Sequence, residues 1–319
     1  VTRSSAISHP DGFILTEWGE WTPDDVRPPL SRALAVGARH VTLLVELAQA
    51  ESPDAPPRWS FTPAEVPFEH GPQAARVRAV AQELRSRGVS VGLIPLLQWK
   101  GGGRQYLRPR SPEVWLERYG TLIEELAAFA AAIDASELIV GSELTFLFPR
   151  AKAWRKIIAR VRAHFRGHLT LSPTALDYAT IRFWDALDSL GVSAYFPLAP
   201  HRTVRGPRAL ALGWWAHRAH LEALARLWRK PLTFVEVGYP STEVAALRPW
   251  DYRFAERKLD LELQDRCWRA FKEVWAGAPS LRSFRIWGLS TKSGPNDKTH
   301  SPLGKPAEET VASLFLERA

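Results

Sequence analysis

Short, nearly continuous apolar runs alternate with longer stretches of helical periodicity along the whole chain, eight times over. The runs fall at residues 12–17, 40–47, 89–97, 138–141, 168–172, 190–195, 232–235 and 282–287. Strands buried on both faces read this way, because neither face needs polar side chains. Strands alternating with helices imply parallel pairing through crossover connections. Eight such rounds, with no linker, internal repeat or low-complexity tract, predict one (β/α)8 barrel over residues 1–319; a doubly wound open sheet is the second choice.

Local punctuation agrees. Ser111-Pro112-Glu113 supplies a cap, a proline at the first helical position and an acid in the first turn. Trp115, Tyr119, Leu122, Leu126, Phe129 and Ile133 then recur at helical spacing. Gly37 and Gly88 stand where the first two helices should stop, just before the next strands. The longest irregular stretch, residues 48–72, follows strand two, so on a barrel it belongs to the active-site face.

Composition narrows the classes. Hydrophobic residues make up 45% of the 319 and charged residues 24%, enough to bury a large core. No apolar run approaches the roughly 20 residues of a membrane-spanning helix. Cys267 is the single cysteine, which excludes an intramolecular disulfide framework and any cysteine-rich metal site; beside Trp268 and Phe271 it should pack in the core. There is no methionine, even at position 1, so a processed, trimmed or alternative start is expected. Residues 1–12 are polar and do not form a signal peptide. One cysteine does not fix the compartment; export, secreted or periplasmic, is favoured over the cytoplasm.

Several chemistries drop out. Gly101-Gly102-Gly103 matches neither a dinucleotide fingerprint nor a P-loop and reads as a turn. His217 and His220 lack a neighbouring carboxylate, so neither a metal nor an organic cofactor is expected. No G-x-S-x-G elbow is present.

The carboxylates say more. Leu138-Ile139-Val140-Gly141-Ser142-Glu143 and Leu232-Thr233-Phe234-Val235-Glu236 are apolar strands that end in glutamate, on strands four and seven. A carboxylate there is costly unless paired or used. Either could merely cap a helix or pair with an arginine. Two opening into one barrel mouth suggest a glycosidase pair, about 5–5.5 Å apart in a retaining enzyme, with repulsion and burial keeping one protonated.

At this point the chain resembles glycoside hydrolase family 113, the β-mannanase-type family among retaining (β/α)8 glycosidases. The likeness runs through G-S-E-L (141–144), W-R-K-I-I-A-R-V-R (154–162) and F-W-D-A-L-D-S-L-G-V-S-A-Y-F-P-L (183–198). It continues through P-L-T-F-V-E-V-G-Y (231–239) and G-K-P-A-E (304–308). The resemblance implies hydrolysis of β-1,4-mannan or manno-oligosaccharides, with Glu143 as acid/base and Glu236 as nucleophile. It implies that Tyr195 positions the nucleophile and that Trp287 floors the sugar subsite at the scissile bond. Ser142 stands where most of the clan has asparagine, as the family's small hydroxyl-bearing residue leads one to expect. Residues 98–104 match the family's tryptophan-arginine element only in part, which brings Trp99 and Arg104 forward as sugar contacts. Trp18 should line the central subsite, and Trp59, like Trp99, is a candidate for an outer one.

The net charge of +8 is regional. Residues 144–176 hold seven Lys or Arg and no acid, and residues 200–230 hold seven against Glu222 alone. Arg202, Arg205 and Arg208 follow strand six; Lys100, Arg104, Arg108 and Arg110 follow strand three. If they form a cationic rim, the natural substrate is an anionic β-linked glycan cleaved by the same mechanism. The alternative is a solvated surface. A glycan- or nucleic-acid-binding protein without catalysis is a more remote reading, and it leaves two strand-end glutamates unexplained. The expected partner is an oligo- or polysaccharide, with no nucleic acid and no membrane span; the oligomeric state is open.

Overall fold

A computed structural model describes residues 10–63 and 65–319; most of the polar N-terminal stretch lies outside the described residues. Eight parallel strands form the barrel: β1 (Gly12–Leu15), β2 (His40–Gln49), β3 (Ser90–Trp99) and β4 (Glu137–Ser142), then β5 (His168–Ser172), β6 (Leu190–Ser193), β7 (Leu232–Val237) and β8 (Leu281–Leu289). The ladder runs β5-β4-β3-β2-β1-β8-β7-β6. Its two ends are drawn together by Asp188 N donating to Leu169 O at 2.9 Å and Ser193 N donating to Pro173 O at 2.8 Å. The barrel is thus nearly closed.

The helices are α1 (Pro23–Ala35), α2 (Pro72–Ser86), α3 (Pro112–Ala132), α4 (Ala151–His164), α5 (Pro207–Trp228), α6 (Leu261–Trp275) and α7 (Ala307–Arg318). Pro112 opens α3 as expected, although the Ser111 side chain makes no capping hydrogen bond. Gly37 (φ 106°) and Gly88 (φ 72°) take the left-handed conformation that lets the chain leave α1 and α2.

One of the eight expected rounds lacks its helix. Between β5 and β6 the chain makes only two single 3-10 turns, Tyr178–Thr180 and Trp184–Ala186. Pro173 follows β5 directly, and Asp177 accepts from both Thr145 Oγ1 and Thr174 Oγ1, closing a turn where a helix would start. Phe183 and Trp184 are fully buried, Phe183 stacked on Trp154 of α4 at 5.9 Å. Bulky side chains on a short connection cover the barrel wall here in place of a helix.

The main apolar core lies between strands and helices and includes Cys267, fully buried as expected. A separate small cluster of Ile14, Leu44, Ile94, Leu96, Ile139, Tyr195, Val235 and Trp287 draws on strands all round the barrel and fills its interior. At the N-terminal end, Glu137 is wholly buried. Arg285 Nη2 is 3.1 Å and His168 Nδ1 3.2 Å from its two oxygens, and His40 Nε2 is 3.6 Å away. Burial alone would raise the Glu137 carboxyl, but Arg285 and the two histidines outweigh it and hold it well below the usual range. Among the described residues no helix is long and apolar enough to cross a membrane.

Candidate active site

β4 and β7 end at the same mouth. Glu143 is the first residue beyond β4. Its backbone bends into the left-handed region (φ 52°), unusual for a residue with a side chain, and its N–H donates to Ser172 O of β5 at 2.8 Å. Such strain, on the order of 1–2 kcal/mol, persists where surrounding structure fixes the geometry, commonly at functional positions. Glu143 is partly exposed, and Arg104 Nη2 donates to its Oε2 at 2.9 Å.

Glu236 lies inside β7 and is 2% exposed. A register shift in β6 brings Ser193 opposite it, and Ala194 N donates to Glu236 O. That register places Tyr195 so that its hydroxyl donates to Glu236 Oε2 at 3.1 Å. The buried hydroxyl of Ser142 also faces this carboxylate and favours its anion. Burial first, then the negative charge of Glu143, push Glu236 up to about 8, while Arg104, Tyr195 and Ser142 pull the other way. The charge of Glu143 thus favours the protonated form of Glu236.

Trp287, 6% exposed and paired with Ile14 of β1, lies beneath this mouth in the interior cluster. Trp18 stands 39% exposed just after β1, where Gly19 N donates to Glu46 Oε1 at 2.8 Å. Trp99 packs against the core with its indole donating to Glu51 O at 2.9 Å, under the turn at Gly101. Trp59 belongs to the core: it is 5% exposed, lies 4.4 Å from Phe68 and donates to Glu125 at 3.0 Å. The indole expected at an outer subsite is instead held inward by the short antiparallel pairing of Leu47 with Trp59.

Two further glutamates, Glu17 and Glu46, occupy the same kind of position as Glu143 and Glu236, near the ends of β1 and β2. Each is committed to a backbone amide, Glu17 to Thr291 N and Glu46 to Gly19 N, and so ties loops together. Tyr252, in the loop after β7, carries no signal in the sequence. Its hydroxyl hydrogen-bonds to Tyr195, and its ring lies 4.9 Å from that of His300. His300 is buried, donates from Nε2 to Pro249 O at 2.7 Å, and is pushed down to about 4 by burial.

The expected cationic rim is largely neutralised. Arg205 pairs with Asp260, Arg202 with Glu243 at 3.9 Å and Arg110 with Asp54 at 3.5 Å. Arg108 instead lies flat over Phe146, 3.6 Å from the ring centre. Among the described residues no group of three or more His, Cys, Asp or Glu is placed to hold a metal ion.

A family model described as Glycoside Hydrolase Family 113 matches residues 13–302. The chain belongs to glycoside hydrolase family 113. Among solved structures it is similar to the family 113 β-mannanase AaManA from Alicyclobacillus acidocaldarius in complex with ManMIm. The identity is 26% over 97% of each chain, with a TM-score of 0.84. A second family 113 β-1,4-mannanase matches at 21% identity over 96% of this chain and 98% of that one, with a TM-score of 0.82. A β-glucuronidase from Ruminococcus gnavus shares the fold alone, at 11% identity over 96% of this chain and 50% of that one (TM-score 0.62). No curated protein sequence matches. As a member of family 113 the protein is a glycoside hydrolase that acts on carbohydrate, and its fold is the (β/α)8 barrel expected from its eight apolar runs.

Proposed function

We propose that the protein is a retaining β-glycosidase acting on β-1,4-mannan or manno-oligosaccharides, with Glu236 as nucleophile and Glu143 as acid/base. One observation carries this reading: two glutamates at one barrel mouth, each held by its own donor, Arg104 for Glu143 and Tyr195 for Glu236. The likeness to β-mannanases supports the choice of sugar.

Glu236 attacks the anomeric carbon as Glu143 gives its proton to the departing glycosidic oxygen. Glu143 then takes a proton from water, which attacks the same carbon and releases Glu236 as carboxylate. The pair holds the one proton this sequence requires. Burial, which pushes Glu236 up to about 8, favours that proton on Glu236, the reverse of what the first step needs. Sugar entry must therefore move it to Glu143. Tyr195 and Ser142 favour the Glu236 anion, and a sugar hydroxyl that donates to Glu236 adds to that bias. Arg104 has to release Glu143 when the glycosidic oxygen arrives.

The test is product analysis by mass spectrometry of wild type and Glu236→Ala on β-mannan and a panel of other β-glycans. Manno-oligosaccharides from the wild type alone are expected. Turnover by Glu236→Ala, or cleavage confined to another glycan, overturns the mechanism or the substrate respectively.

A further inference from the structure

The loops after β3 and β4 flank Glu143, and they hold an arginine whose position differs from that of its neighbours. Arg110, Arg202 and Arg205 are each paired with a carboxylate. Arg104 is bound to Glu143 itself. Arg108, four residues on, is exposed and has no carboxylate partner among the described residues; its guanidinium stacks on Phe146, three residues past Glu143, at 3.6 Å. A stacked guanidinium is fixed in orientation by its flat face while the N–H fork at its edge stays available. That edge matches a carboxylate, which accepts two parallel hydrogen bonds from it.

Glu143 is proposed to protonate the departing oxygen, so the residues around it border the leaving-group side of the cleft. We infer that Arg108 and Phe146 form a leaving-group-side subsite for a sugar bearing a carboxylate, such as a uronic acid residue. Phe146 holds the guanidinium from beneath and Arg108 takes the acid. This rests on the proposed assignment of Glu143 and refines the substrate to an acidic manno-glycan.

The experiment compares β-1,4-mannotetraose with the same tetraose oxidised at C6 of its reducing-end residue to the uronate. The wild type is expected to prefer the acidic tetraose in kcat/KM by about tenfold at low salt, with the ratio falling as salt rises. Arg108→Gln should bring the ratio near one, and Arg108→Glu should invert it. A wild-type ratio near one, or a preference that survives Arg108→Gln, overturns the inference. The same ratio is read from calorimetric affinities in Glu236→Gln. Preferential binding of the acidic tetraose without hydrolysis by the wild type would count against the mannanase reading and leave the subsite standing. Equal or absent binding would remove the subsite.

Discussion

Arg104 Nη2 stands 2.9 Å from Glu143 Oε2, joining the loop after β3 to the residue that ends β4. The same guanidinium also favours the ionised form of Glu236, so one positive charge is shared by both carboxylates. In the proposed mechanism it is the local counterion of a pair that works singly protonated.

Removing that counterion has a definite sign. With Glu236 pushed up to about 8, the pair should lose its working proton, and the enzyme its activity, above about pH 8. Arg104 lowers that value, so Arg104→Gln should shift the alkaline limb of the kcat/KM profile to higher pH while reducing kcat by about tenfold or more. A pH–rate series on both proteins checks this. An unmoved or lowered alkaline limb would mean that Arg104 does not act on the pair.

Keeping Glu236 buried should cost stability. Its folded value lies above the ordinary glutamate value of 4.5, so the favourable contribution of the bound proton is complete below about 4.5 and is lost as pH rises toward about 8. Glu236→Gln has no charge to bury. It should melt about 2–6 °C higher than wild type at pH 8, with little difference at pH 4.5. Thermal melts across that range decide the point; a lower melting temperature at pH 8 would show that the environment favours the anion.

The opposite end of the barrel should respond in the opposite sense. Glu137 is held below the ordinary glutamate value of 4.5, so its contribution is present above 4.5 and lost as pH falls toward its lower folded value. Glu137→Gln would leave Arg285 buried without its carboxylate, at a cost of about 3–5 kcal/mol near neutral pH. Denaturant titrations should show that gap narrowing below about pH 4.5. A gap that is small at pH 7 would assign Arg285 another counterion.

The strands were legible because parallel strands in a barrel wall are apolar on both faces, and Leu138–Val140 or Thr233–Val235 have no other plausible reading. The connection after β5 was not. Phe183, Trp184 and Leu187 present the apolar spacing of a helix, yet Pro173 and the Asp177 turn prevent one from starting, a competition visible only once side chains are placed. Glu143 and Glu236 were readable as carboxylates at strand ends, but Glu17 and Glu46 meet the same criterion. What separates them is an acceptor role toward Thr291 N and Gly19 N, which depends on loops far away in sequence. Tyr252 was missed for a related reason, since a single tyrosine in an irregular loop has no periodicity to betray it. The rim arginines were overcounted because opposite charges such as Asp54, Glu243 and Asp260 come from distant segments.

The most direct test of the mechanism is covalent trapping. The protein is incubated with a 2-deoxy-2-fluoro-β-mannosyl fluoride, digested, and its peptides are sequenced by mass spectrometry. The account predicts a single fluoro-sugar ester, on Glu236, and none in Glu236→Gln. An ester on Glu143 would exchange the two roles, as the resting position of the proton on Glu236 by itself would suggest. No ester from an enzyme that turns the compound over and releases product of inverted configuration would contradict the double displacement itself.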